Sequence, residues 1–271
     1  MRISKTITSF GLLLALLISG SIFVFKNPAI TYATQVAQGF GPQRYKDGTH
    51  YGTGVYFAPH KFTLYTEPKD SSPKLGTIEW DNKSGFSGLH MTSTDGMPKN
   101  AYADKLFFCY YPELNIAMMA VAGENGDGWV EVIYDQQNQK TAWVKTKQEK
   151  DTDTPSKESS SSANTSHLGV YQTWLEFMKY NAKNNGIYWL SGVADYNRAL
   201  RTKDEDTAKL INTTVIRKLK VRYVRGNWLL VEIQDFEMNS PIGWIRWRDD
   251  DGNLLIFPNL NGSTQPMMPS F

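Results

Sequence analysis

Four histidines and one cysteine are the side chains best suited to ligate a metal or attack a carbonyl, and their spacing decides what they can do. His50, His60, His90 and His167 form no H-x-x-x-H or H-E-x-x-H pattern, whereas a zinc site needs such ligands held in fixed geometry. With Cys109 as the one cysteine, a thiolate zinc cluster and an intramolecular disulfide are both ruled out. A Cys109–His90 pair could in principle activate a thiolate nucleophile. Such a thiolate sits in an exposed, electropositive place, often at a helix start. Cys109 instead lies in Leu106-Phe107-Phe108-Cys109-Tyr110-Tyr111, which reads as a strand with its thiol in the core. Asp249-Asp250-Asp251-Gly252-Asn253 has the oxygens of a calcium loop but not its distant closing acid, since Leu254-Leu255-Ile256-Phe257 follows. A solvated hairpin turn is expected there. No G-x-S-x-G, phosphate-binding loop or dinucleotide fingerprint occurs. The sequence therefore calls for no catalytic residue, no metal and no cofactor.

What remains is recognition, and the elements that would carry it are strands. Aromatic residues reach 13%, with 8 Trp, 14 Tyr and 13 Phe, and such rings favour pleated, half-buried surfaces. Leu64-Tyr65-Thr66 through Asp70, followed by Lys74-Leu75, matches Leu200-Arg201-Thr202 through Asp206, followed by Lys209-Leu210. Farther on, Trp129 and Trp143 match Trp228 and Trp244, with separations of 14 and 16 residues. One unit is used twice. Each copy reads as short alternating strands with polar turns, the pattern of small antiparallel barrels. Before the second copy, Tyr171, Trp174, Phe177, Met178 and Asn181 keep helical spacing, and Asn185-Gly186 supplies a stop. One amphipathic helix over 170–184 is expected to cap the second barrel.

The loop after Leu64 or Leu200, the Leu75-Gly76-Thr77 step, and the pairs Gly226-Asn227-Trp228 and Gly243-Trp244 resemble the bacterial SH3 (SH3b) domains of exported and cell-envelope proteins. The second copy has compact spacing, 28 residues from Leu200 to Trp228. In the first, Leu64 to Trp129 spans 65, so 37 residues are inserted. The resemblance implies a mainly β protein of two small SH3-like barrels. The first covers 50–147 with its insertion at about 81–115; the second, with its helix, covers 168–260. It also implies ligand binding on aromatic patches. In the second unit these are Tyr223, Trp228, Trp244 and Trp247, with Arg246 as a carboxylate partner. In the first they are Tyr65, Trp80 and Trp129. One Trp of each pair is expected to pack the core. On the strand Ile245-Arg246-Trp247-Arg248, the arginines are expected to face outward. The acids of 249–251 would neutralise Arg248 and leave Arg246 to bind.

Residues 1–33 hold Arg2, Lys5, Lys26 and no acid, and Phe10 to Phe25 is an apolar block. That is the layout of a signal peptide or a single-pass membrane anchor. Either places the rest in the periplasm or at the cell surface. The remainder carries 26 basic and 27 acidic residues, too balanced for a nucleic-acid binder. Residues 148–167 are almost free of apolar side chains and read as a flexible linker. The expected object is a non-catalytic exported binding protein for cell-wall peptide or glycan, or for an envelope protein. A cell-wall hydrolase with its site in the first domain is one alternative. An architectural subunit of an envelope complex is another.

Overall fold

A computed structural model describes residues 39–42, 51–93, 98–100, 102–147, 167–211, 219–234 and 240–261. The leader at 1–33 and nearly all of the 148–167 linker lie outside them. No helix among the described residues is long and apolar enough to cross a membrane. The chain is mainly β, and among the described residues its named strands pair antiparallel.

The first half contributes β1 (Gly54–Phe57), β2 (Lys61–Tyr65), β3 (Lys74–Glu79), β4 (His90–Ser93) and β5 (Pro98–Asn100). After the short helix α1 (Ala103–Leu106) come β6 (Cys109–Tyr111), β7 (Ile116–Glu124), β8 (Trp129–Asp135) and β9 (Lys140–Lys145). The second half contributes β10 (Tyr171–Thr173), α2 (Trp174–Asn185), β11 (Ile187–Trp189), β12 (Leu219–Arg225), β13 (Trp228–Ile233), β14 (Ile242–Arg246) and β15 (Ile256–Pro258).

Ten strands form one sheet in the order β10-β1-β7-β8-β9-β2-β3-β4-β5, with β6 also on β7. The second half adds the three-stranded sheet β12-β13-β14 and the pair β11-β15. The barrels expected from the sequence do not close. In the first half, β4 and β5 of the inserted segment extend one margin, while β10 from beyond the linker takes the other. The margins that would have met are paired instead with these added strands, so the sheet stays open, with β10 and β5 as its ends.

Strand β7 shows why the halves share a core. Its residues 117–121 are buried on both faces, as a continuous apolar strand must be. Ala117, Met119 and Val121 face one core with Leu64, Trp80 and Phe107. Met118 and Ala120 face the other, which contains Trp174, Phe177, Val231 and Phe257 from the second half. Helix α2 covers this second core. Thr173 caps it: its hydroxyl accepts from Glu176 N while Glu176 Oε2 accepts from Thr173 N, a reciprocal capping box. Trp174, Phe177, Met178 and Ala182 are buried, so the apolar face is packing surface. Tyr171, assigned to the helix by spacing, lies instead on β10 beside β1, because the cap starts the helix at Trp174.

The repeated residues occupy matching places. Tyr65 pairs with Trp143, and Arg201 pairs with Trp244. Lys145 lies over Trp129 and bonds Asp70, just as Arg246 lies over Trp228 and bonds Asp206.

His167 fastens the start of the second half to the first sheet. Its Nε2 donates to the Asn115 carbonyl at 3.3 Å, and its ring meets Phe57 edge-on at 5.3 Å. Burial pushes its pKa below the ordinary 6.5, opposed by the Asn115 bond and aided by Lys147. A neutral ring favoured by folding contributes fully above pH 6.5, and that contribution declines as pH falls below it. Between pH 7.5 and 5 the melting temperature is therefore expected to fall less in His167→Gln than in the wild type. Parallel curves would remove His167 from the acid response.

Candidate functional site

Strands β12, β13 and β14 lie in a register that sorts their side chains. Val224, Leu229, Val231 and Ile245 point inward and are buried. Outward stand three rows across the strands: Lys220–Glu232–Ile242, Tyr223–Leu230–Trp244 and Arg225–Trp228–Arg246. A β-bulge at Arg222 puts Tyr223 on the outer side. Single bridges continue the middle row to Arg201 and then Leu210. Tyr223 is 52% exposed, Ile242 55% and Leu210 56%. Tyr223 meets Trp244 edge-on at 6.5 Å, and the Arg225 guanidinium lies 5.0 Å from the Trp244 ring centre. Trp228 faces outward yet is buried, because Arg246 at 5.0 Å and Arg201 at 5.8 Å lie over its ring. Such cation–ring contacts hold the rings in place.

The charges on this face are matched. Arg225 pairs with Asp204, whose carboxyl the Arg225 hydrogen bond holds below the usual range; the same bond raises Arg225. Arg246 pairs with Asp206 and, at 2.8 Å, with Asp250. Burial works against the Arg246 charge, but those two carboxylates raise its pKa overall. Arg248 takes a different course: Nε donates to Gly252 O at 2.9 Å and Nη2 to Gly52 O at 3.2 Å, and burial lowers its pKa. The expected division is thus reversed, since the acids neutralise Arg246. Strand β14 ends at Arg246, so Arg248 belongs to the following hairpin and reaches backbone carbonyls rather than the outer row. The turn itself is as expected, with Asp249 accepting from Asn253 N at 2.7 Å and from Asn253 Nδ2 at 3.0 Å.

No protein-family model, curated protein or solved structure matches this chain.

The sequence-predicted residues divide into three places. Tyr223, Trp228, Trp244 and Arg246 come together on the outer face. Trp247 lies beneath it, 1% exposed, with its Nε1 donating to Gly226 O at 2.8 Å. It is a core residue and no ligand ring. In the first half, Trp80 is likewise buried, donating to Pro59 O at 2.8 Å. Tyr65 and Trp129 meet edge-on at 5.2 Å, with Trp129 buried and Tyr65 half-buried. Leu210, Leu230 and Ile242 were not anticipated. For Leu230 and Ile242 strand alternation was the signal that could have found them, because each is out of phase with a buried neighbour; Leu210, on an isolated bridge, carried no such signal.

Cys109 and His90 lie in different surroundings. Cys109 is fully buried in the shared core, and burial pushes its thiol pKa up, away from the reactive thiolate. His90 lies exposed on β4. Among the described residues, no three acidic, histidine or cysteine side chains gather as a metal site.

Proposed function

We propose that this chain is an exported, non-catalytic binding protein made of two bacterial SH3-like units, recognising cell-wall peptide or glycan or an envelope protein. The observation that carries the reading is the outward row Tyr223–Leu230–Trp244, left open in a fold whose other large rings are mostly packed. The two-unit reading draws support from the matched pairs Tyr65–Trp143 and Arg201–Trp244, each followed by a cation on Trp and Asp. The location rests on the basic start and apolar block of the leader.

Co-sedimentation with purified peptidoglycan, and affinity capture from envelope extract, test the reading. One of the two is expected to retain the protein. Trp244→Ala is expected to weaken that retention by ~10-fold or more, the effect of losing an interface ring. Arg246→Ala should weaken it less, since its guanidinium is engaged by Asp206 and Asp250. Retention by neither material, or retention unchanged in Trp244→Ala, would overturn the proposal.

A further inference from the structure

Residues 148–166 join the two halves in sequence, yet the points they join are not apart. Lys147 N donates to Gly169 O at 2.9 Å, and a Cβ on Gly169 would lie 3.1 Å from Lys147 Cγ. Fully extended, a segment of 19 residues would reach roughly 65 Å, enough to tether separate bodies. Here its two ends meet.

Both ends are fastened by contacts that do not run through the connection. Gly169 N donates to Phe57 O at 2.6 Å, and Phe57 N donates to Val170 O at 3.0 Å. Strand β10 then pairs with β1 at Gly54–Thr173, Val55–Gln172 and Tyr56–Tyr171, so the second half donates an end strand to the first half's sheet. Beneath that strand, Trp174 meets Tyr51 and Phe108, Phe177 meets Phe57, and Phe257 meets Phe108. Arg248 Nη2 adds a bond to Gly52 O at 3.2 Å. A contact that is apolar and continuous with a core is the kind made by obligate complexes of separate chains. The covalent link adds to it only the effective concentration of a tethered partner.

We infer that the two halves are noncovalent partners, residues 167–261 seated on the β1 margin and on the Tyr51–Phe57–Phe108 face of residues 51–147, and that the protein remains one folded body when the chain is cut between Lys147 and His167. Hydrolysis of one peptide bond there, with one water taken up, yields a two-chain protein and not two domains. This holds whatever the outer face of β12–β14 binds. The pairing closes within one copy: halves are exchanged between copies when a short or strained connection resists folding back, and Lys147 and Gly169 are already in contact.

A recognition sequence for a site-specific protease, placed in the full chain at residues 158–163, tests this. After complete cutting, confirmed by denaturing electrophoresis, the two pieces are expected to co-elute in gel filtration at ~1 µM, as partners in a stable interface do. They should keep the near-ultraviolet circular dichroism of the uncut chain. Heating should give one transition, whose midpoint rises with protein concentration in the cut protein and stays constant in the uncut one, as mass action requires of an associating pair. Pieces that elute separately, or a near-ultraviolet signal lost on cutting, would show that the link holds the fold together and overturn the inference. Two transitions in the cut protein would give each half a stability of its own and overturn it as well. Sedimentation equilibrium covers exchange between copies: an uncut protein with the mass of two chains that falls to one on cutting places each partner half in a second copy, and overturns the pairing within one.

Discussion

Replacing Trp174 by alanine is expected to unfold both halves of the chain in a single transition, at a cost of about 3–5 kcal/mol. Trp174 belongs by sequence to the second half, yet its ring touches Tyr51 and Phe108 of the first as well as Phe177 and Phe257 of its own. Its indole Nε1 donates to Tyr51 O at 2.8 Å. Truncation leaves a cavity where the two halves meet and orphans a buried carbonyl. A loss of that size is a large part of the ~5–15 kcal/mol that holds a typical domain folded. Urea unfolding followed by near-ultraviolet circular dichroism and by amide exchange on β8 and β13 would resolve it. Two separate transitions, with β8 unaffected, would mean that the shared core is not a cooperative unit. For the same reason residues 168–271 expressed alone are expected to stay unfolded. The fragment would expose the Trp174–Phe177–Phe257 cluster that Phe57 and Phe108 cover.

The parts of this fold legible in the sequence are those set by near neighbours. Strands β9 and β14 alternate cleanly beside polar turns, and the matching Trp spacings pointed to a duplicated unit. Both follow from a side-chain period of two. The helix was legible to within a turn. Its start was misplaced because Tyr171 keeps helical spacing while the Thr173–Glu176 box sets the boundary. Closure of the barrels was not legible, since pairing across long separations leaves no local mark. Nothing in Tyr171-Gln172-Thr173 announces that it will pair with Val55 and Tyr56. The run of β7 could equally have been one buried face of a helix, and only its two-sided burial resolves it.

The site was legible as a neighbourhood and not as a set of contacts. Tryptophans mark where rings gather, but Trp244 and Trp247 are distinguished only by strand phase, and phase depends on where β14 ends. The same phase separates Arg246 from Arg248. Composition weighted both toward carboxylates; geometry gives Arg246 to two aspartates and Arg248 to two backbone carbonyls.

The second Arg248 bond leads to a tight point of the fold, the tripeptide Tyr51-Gly52-Thr53. Tyr51 O accepts from Trp174, Gly52 O accepts from Arg248 at 3.2 Å, and Thr53 N donates to Val121 O at 2.7 Å. Gly52 has φ +60, and a Cβ placed there would lie 1.9 Å from Val121 O. Alanine therefore meets two penalties: a left-handed backbone, about 1–2 kcal/mol, and a clash relieved only by moving the tripeptide away from β7. Movement sacrifices the bonds it makes to Trp174, Arg248 and Val121, each worth ~0.5–1.5 kcal/mol. Gly52→Ala is expected to destabilise the chain by roughly 2.5–6.5 kcal/mol when these are added. Gly85→Ala separates the two penalties, because Gly85 has φ +58 but nothing within 4 Å of the added carbon. That variant should lose only the conformational ~1–2 kcal/mol. Paired denaturant titrations decide the matter. Equal losses would show that the tripeptide can shift freely, and that the junction between the halves is held by the aromatic core alone.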